Sequence, residues 1–146
     1  MDYIITPDLL AGWTVLVVDD EPDSLFVAQT LLEMCGANVH AALNGKQGIE
    51  LVGRIRPDFI LSDLSMPEMT GWQMLHALKN TYATRDLPVI ALTAHAMPGD
   101  RTRAIEVGFH NYLTKPLRPE TFINDLLRLL IDVPAIAQRL PEMKEQ

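Results

Sequence analysis

The chain has 146 residues, of which 48% are hydrophobic and 21% are charged. This length suits a single domain, and the apolar fraction is sufficient for a buried core. The net charge of −7 argues against a nucleic-acid binder, because such proteins present basic surfaces to phosphates. It leaves open an acidic cluster that holds a cation. The single cysteine, Cys35, excludes an intrachain disulfide and a cysteine-based metal site, and its apolar setting predicts a buried side chain.

The sequence carries no membrane or export signal that we can recognise. No segment approaches the roughly 18 uninterrupted apolar residues of a membrane span. The first residues, Met1–Asp2–Tyr3, lack the basic region of a signal peptide. We therefore expect a cytoplasmic protein with neither a membrane nor a nucleic acid as partner.

The first half of the chain predicts two strand–helix pairs after a short leader of residues 1–12. Strand and helix alternate as a strand Thr14–Val18, a helix Pro22–Cys35, a strand Asn38–Ala42 and a helix Gly45–Arg56. The helices are assigned from apolar residues spaced three and four apart, and the first strand is almost wholly apolar. Pro22 fits a helix first turn, Gly36 a left-handed helix end and Asn44 an N-cap.

The second half predicts three more strand–helix pairs. They are a strand Phe59–Ser62, a helix Gly71–Tyr82, a strand Val89–Leu92, a helix Pro98–Val107, a strand Asn111–Leu113 and a helix Pro119–Leu130. The first two of these strands are nearly all apolar, which is typical of strands buried on both faces of a parallel sheet. Pro98 and Pro119 fit helix first turns, and Gly108 fits a helix end.

Five alternations of strand and helix predict an α/β fold. Parallel strands need crossover connections, and right-handed crossovers place helices on both faces of the sheet. We therefore expect a doubly wound, five-stranded parallel sheet with five helices, a flavodoxin-like three-layer sandwich over residues 13–132. Residues 133–146 are predicted to be a mixed polar tail. In such sheets a ligand binds outside the carboxyl ends of the strands.

Polar residues stand at those strand ends. Asp19 and Asp20 follow the first strand, Asp63 the third, Thr93 the fourth, and Lys115 lies just beyond the fifth. Carboxylates held together raise one another's pKa, and a hard cation such as Mg²⁺ removes the repulsion. A carboxylate can also attack phosphorus, with the ammonium, hydroxyl and metal stabilising charge on the equatorial oxygens.

These segments resemble the motifs of response-regulator receiver domains of two-component signalling, the CheY-like family. The resemblance covers about residues 13–132 and keeps the motifs in the family's order on the expected elements. The motifs are Val17–Val18–Asp19–Asp20–Glu21, Asp63–Leu64–Ser65–Met66–Pro67–Glu68–Met69–Thr70–Gly71, Leu92–Thr93–Ala94 and Lys115–Pro116.

The resemblance implies an Mg²⁺ site and a phosphoacceptor. It makes Asp63 the acceptor of the phosphoryl group. It makes Asp20 and Asp63 direct ligands of Mg²⁺, with Asp19 contributing through a bridging water. The backbone carbonyl of Ser65 would complete the protein ligands.

The resemblance also implies residues that respond to the phosphoryl group. Thr93 would donate a hydrogen bond to its oxygens, and Lys115 would pair first with Asp63 and then with the phosphoryl group. The Lys115–Pro116 bond is expected to be cis. Tyr112 stands where the family carries a switch aromatic, although a buried structural tyrosine explains it equally well. We hypothesise that His95, if it lies over the site, alters the access of water to the aspartyl phosphate.

The implied function is a signalling switch rather than an enzyme with a separate turnover substrate. A histidine kinase or histidine phosphotransfer protein would donate the phosphoryl group. The face formed by the fourth helix, fifth strand and fifth helix would bind a downstream protein, and phosphorylation-dependent homodimerisation is compatible with this arrangement. We interpret Trp13 and Trp72 as packing residues.

Other functions remain open from the sequence. A pseudo-receiver would be an interaction module that works without phosphorylation. A phosphatase or phosphotransferase could use Asp63 as a nucleophile, but such enzymes commonly carry a second acid where this chain has Ser65. A dinucleotide-binding domain is disfavoured, because no Gly-x-Gly-x-x-Gly follows the first strand.

Overall fold

A computed structural model of the chain describes residues 2–94 and 97–142. Its strands are β1 Thr14–Val18, β2 Asn38–Ala42, β3 Phe59–Asp63, β4 Val89–Thr93 and β5 Asn111–Thr114. They form one parallel sheet in the order β2-β1-β3-β4-β5, so the predicted sheet is confirmed. Strands β3, β4 and β5 each run one residue beyond the predicted end. Asp63 and Thr93 are therefore the last residues of their strands.

The five predicted helices are present, and a short sixth follows them. Their bounds are α1 Pro22–Met34, α2 Gly45–Ile55, α3 Gly71–Lys79, α4 Asp100–Val107, α5 Phe122–Leu130 and α6 Pro134–Ala137. Within residues 2–94 and 97–142 no helix has the length and hydrophobicity needed to cross a bilayer.

The starts of two helices differ from the prediction, and α3 ends at Lys79 rather than at the predicted Tyr82. Pro98 and Pro119 lie in turns before α4 and α5, so the prediction that they occupy first turns was wrong. Both helices begin later, α4 after Gly99 with φ of 89°. The predicted N-cap at Asn44 is confirmed, since its side chain accepts a hydrogen bond from the Gln47 N–H at 2.9 Å.

The side chains of each strand alternate between two apolar clusters, one on each face of the sheet. Val15 and Val17 of β1 belong to the cluster with α1 and α5, whereas Leu16 and Val18 belong to the cluster with α2, α3 and α4. Adjacent strand residues point to opposite faces, so these clusters are the two interfaces of a three-layer sandwich. The predicted doubly wound architecture is therefore confirmed. Cys35 is buried in the first cluster, as expected.

Described residues on either side of the predicted domain pack against the α1–α5 face. Tyr3, Leu9 and Leu10 of the predicted leader are buried there, as is Ile136 of α6. The leader is tied to α5 by Asn124, whose Oδ1 accepts a hydrogen bond from the Tyr3 N–H at 2.6 Å. The segments flanking residues 13–132 thus add buried apolar surface to the domain.

Candidate functional site

The carboxyl ends of β1 and β3 bring the predicted acidic residues together. β1 and β3 are paired neighbours, with Asp19 directly after β1 and Asp63 ending β3. One carboxylate oxygen from each of Asp19, Asp20 and Asp63 lies within 4.8 Å of the others. We call these three residues the acidic cluster. Their predicted convergence is confirmed.

Lys115 reaches the acidic cluster from the segment after β5. Its Nζ lies 2.8 Å from Asp19 Oδ2 and 3.1 Å from Asp63 Oδ2. Glu21 Oε2 is more distant, at 4.0 Å. The Lys115 N–H donates to the Thr93 carbonyl at 2.8 Å, and the Lys115–Pro116 peptide bond is cis as expected.

Burial and mutual contact shift the pKa values of Asp19 and Lys115. Loss of solvent raises the pKa of Asp19 above its ordinary value, and the Lys115 contact and the Glu21 N–H only partly offset this effect. Burial by itself would lower the pKa of Lys115, but its bonds to Asp19 and Asp63 outweigh burial and raise that pKa. The lysine is therefore charged at neutral pH, yet one ammonium does not fully compensate the neighbouring carboxylates.

Asp63 is the more accessible of the two aspartates that contact Lys115, and the chain after it stays close to the end of β3. The Asp63 side chain is 13% exposed, whereas that of Asp19 is fully buried. The Ser65 N–H lies 3.3 Å from Asp63 Oδ1, and the Gly71 N–H donates to the Leu64 carbonyl at 3.1 Å. A Cβ on Gly71 would lie 2.0 Å from the Asp63 carbonyl oxygen. This approach of α3 to β3 therefore requires glycine.

Five of the predicted site residues line one cleft of about 380 Å³, which we call the site cleft. Its wall contains Asp20, Asp63, Ser65, Thr93 and Lys115. The acidic cluster offers hard oxygen donors at mutual distances that suit one divalent cation, and Ser65 lies beside it. The residues present therefore fit the predicted Mg²⁺ site.

Three residues of the site cleft were not predicted. Trp72 of α3 and Asp100 and Arg103 of α4 share its wall. The guanidinium carbon of Arg103 lies 4.8 Å from the centroid of the Trp72 ring. The sequence offered little signal for these residues, because Arg103 resembles an ordinary surface charge and Trp72 an ordinary packing residue.

The remaining predicted residues lie at or outside the edge of this arrangement. Tyr112 is half-buried against the α2–α3–α4 cluster, with the Arg101 guanidinium carbon 6.0 Å from its ring centroid. This placement is compatible with a switch and with a structural tyrosine. His95 lies outside the described residues, so its effect on water access stays a prediction.

Comparison with known families identifies the class of this protein. A family model described as "Response regulator receiver domain" matches residues 15–127. The chain therefore belongs to the receiver-domain family of two-component signalling, in agreement with the motifs in its sequence.

Individual relatives include free-standing and multidomain proteins. The chain is 42% identical over 110 residues to an uncharacterized 14.6 kDa protein of Leptolyngbya boryana, covering 75% of this chain and 84% of that protein. It is 34% identical to the polar-differentiation response regulator DivK of Brucella anthropi, covering 82% of this chain and 97% of DivK. It is 36% identical to the sensor protein GacS of Pseudomonas syringae pv. syringae, covering 90% of this chain but only 14% of GacS.

Solved structures give the same family. The chemotaxis response regulator CheY4 of Vibrio cholerae matches with a TM-score of 0.75 and 30% identity, over 81% of this chain and 98% of CheY4. The receiver domain of the sensor histidine kinase PA1611 from Pseudomonas aeruginosa matches with a TM-score of 0.72 and 32% identity, over 84% and 97% of the two chains. That structure has a magnesium ion coordinated in its active site cleft.

Proposed function

We propose that this chain accepts a phosphoryl group on Asp63 and thereby switches the state of a two-component phosphorelay. The observation that carries the proposal is the position of Asp63. Its carboxylate is partly exposed, contacts a buried ammonium at 3.1 Å and belongs to an acidic cluster that can hold a cation. A nucleophile, a fixed positive charge and a metal site therefore meet at one strand end.

Each residue of the site has a separate role in the transfer of the phosphoryl group. An Asp63 carboxylate oxygen forms a bond to phosphorus while the phosphorus–nitrogen bond of a phosphohistidine breaks, and the leaving imidazole nitrogen keeps the electron pair. The Lys115 ammonium and the Thr93 hydroxyl stabilise the charge on the equatorial oxygens. Asp19, Asp20, Asp63 and the Ser65 carbonyl would hold Mg²⁺, which supplies further neutralisation when bound. The magnesium ion in the PA1611 receiver supports this assignment.

The donor and target follow from the same proposal. A histidine kinase or histidine phosphotransfer protein would present the phosphohistidine, in keeping with the sensor kinases and response regulators among the relatives. The chain matches only 14% of the length of GacS, so the similarity to GacS covers the receiver domain alone. The downstream target of this chain is therefore part of the proposal. Thr93 and Tyr112 would shift the population between two states, and the α4–β5–α5 face would bind a downstream protein or a second copy.

The direct test is the intact mass of the protein after incubation with acetyl phosphate. We expect the gain of one phosphoryl group, dependent on both Mg²⁺ and Asp63. The matched control is Asp63→Asn, which keeps the size of the side chain but removes the nucleophile. If the folded wild-type protein gains no phosphoryl group with Mg²⁺ present, the domain is a pseudo-receiver that works through interactions alone.

A further inference from the structure

Arg103 stands at the rim of the site cleft without an anionic partner among the described residues. Its guanidinium carbon lies 4.8 Å from the centre of the Trp72 ring. Trp72 is itself fixed, because it meets Phe109 edge to face with centroids 5.3 Å apart and an interplanar angle of 82°. The structure thus holds a cation on a packed aromatic ring in the same cleft that Asp63 lines.

The charges in the site cleft suggest that the Arg103 guanidinium can neutralise a phosphoryl group. The Lys115 ammonium already contacts two carboxylates of the acidic cluster. A phosphoryl group carries about −1.5 to −2 charges at neutral pH, more than the carboxylate charge it replaces. Glu21 and Asp100 line the same cleft and add negative charge. Lys115 together with one divalent cation would therefore leave the phosphorylated site negative.

We propose that Arg103 is a second cationic contact for the phosphoryl group on Asp63, and that Trp72 holds the guanidinium at the rim until this group arrives. The inference rests on the proposed function. A guanidinium presents a planar fork of donors that suits phosphate oxygens, so the chemistry of Arg103 matches the ligand. An exposed cation–π contact is weak, and a charge-assisted bond to the phosphoryl group replaces it favourably.

Beryllofluoride, an inorganic mimic of a phosphoryl group on a carboxylate, provides the test at equilibrium. Its affinity in the presence of Mg²⁺ would be measured by fluorine NMR for the wild type, Arg103→Ala, Arg103→Lys and Trp72→Leu. We expect Arg103→Ala to weaken binding by at least about tenfold, with Arg103→Lys in between. Trp72→Leu should bind as well as the wild type or better, because the guanidinium is no longer held back.

Two controls separate this role from general damage to the cleft. The Mg²⁺ affinity measured without beryllofluoride should be little changed in Arg103→Ala, whereas a collapsed cleft would weaken both ligands. Arg85→Ala also removes one arginine stacked on an aromatic ring, Tyr82 at 4.6 Å, but outside the site cleft, and should bind like the wild type.

The outcomes distinguish the two proposals. Equal beryllofluoride affinity in the wild type and Arg103→Ala would overturn the role of Arg103 and leave the receiver function standing. Weaker binding in Trp72→Leu than in Arg103→Ala would also overturn it, because the ring would then matter more than the cation. Wild-type protein that binds no beryllofluoride, or binds it equally well as Asp63→Asn, would overturn the proposed function itself.

Discussion

The Lys115 ammonium lies between two carboxylates, with a side chain that is only 5% exposed. Removing one partner of a buried ion pair leaves the remaining charge without compensation. We expect Lys115→Ala to lower the free energy of unfolding by about 3 kcal/mol without metal. Mg²⁺ should restore a large part of this loss, because it neutralises the same carboxylates. Urea unfolding with and without Mg²⁺ measures both effects.

An exposed lysine provides the comparison for Lys115. Lys46 lies on the solvent side of α2, so Lys46→Ala should change the unfolding free energy by less than about 0.5 kcal/mol, with or without Mg²⁺. If Lys115→Ala proves as stable as Lys46→Ala in the absence of metal, the buried contacts to Asp19 and Asp63 contribute nothing to the fold.

Gly71 sets the distance between α3 and the end of β3. A Cβ at this position would lie 2.0 Å from the Asp63 carbonyl oxygen, which belongs to the backbone and cannot turn aside. We expect Gly71→Ala to destabilise the protein by about 3 kcal/mol and to slow phosphoryl uptake by displacing Asp63. Urea unfolding and the rate of mass gain with acetyl phosphate would measure the two effects.

For Gly53 we expect the opposite effect of an alanine substitution on stability. It lies exposed in α2, and a Cβ there would meet no atom within 4 Å. Gly53→Ala should therefore stabilise the protein by about 0.5–1 kcal/mol, because alanine loses less entropy in a helix. Similar unfolding energies for the two variants would contradict the close approach at Gly71.

The acidic cluster was predictable from the sequence, but the rim of the site cleft was not. Asp19 and Asp63 follow apolar strands, and parallel strands end at one edge, so pattern alone placed them together. Arg103 and Trp72 meet only because α4 packs beside α3 with a particular rotation. Helical periodicity assigns a face to each helix, but it does not fix that rotation.

Helix α4 is held less firmly than the other helices that pack on the sheet. Ala104 is its only buried residue, whereas α5 buries Phe122, Ile123, Leu126, Leu127 and Leu130. Segments with few buried apolar contacts open locally at low free-energy cost. We expect amide hydrogens of residues 103–107 to exchange faster than those of residues 126–130, as measured by hydrogen exchange with mass spectrometry. Equal protection in the two helices would show that contacts of exposed side chains suffice to hold α4.

The predicted start of α4 was wrong because Pro98, taken as the first residue of the helix, lies in the turn before it. Its apolar pattern is the faintest of the five, and Pro98 was the strongest local signal for a helix start. The structure instead places Gly99 at the N-cap with φ of 89°, so the turn geometry moves the start to Asp100. Pattern strength does not decide the outcome, because α5 has a clear apolar pattern and still begins at Phe122 rather than at the predicted Pro119, whereas the predicted starts at Pro22 and Gly45 agree with the structure.

Residues of the leader and of the tail meet beside the amino ends of β1 and β3, whereas the site lies at the carboxyl ends. Arg139 contacts Asp58 Oδ1 at 2.6 Å and the Gly12 carbonyl at 3.3 Å, and its guanidinium carbon lies 4.1 Å from the Trp13 ring centroid. Arg139 of the tail thereby joins the end of the leader to the segment before β3. The sequence did not reveal this, because the apolar residues of the leader show neither strand nor helix periodicity.

Substitution of Leu10 tests how much the leader contributes to the free energy of unfolding. Its side chain is fully buried in the α1–α5 cluster, and its N–H donates to the Cys35 carbonyl at 2.7 Å. We expect Leu10→Ala to lower the unfolding free energy by about 3 kcal/mol, through lost burial and the cavity left behind. Ile4→Ala, at a side chain 48% exposed, should cost less than about 1 kcal/mol. Phosphoryl uptake per folded molecule should be unchanged in both variants, because Leu10 packs near the start of β1 and neither residue lines the site cleft. If Leu10→Ala unfolds no more easily than Ile4→Ala, the leader is not part of the folding unit, and residues 13–132 should fold without it.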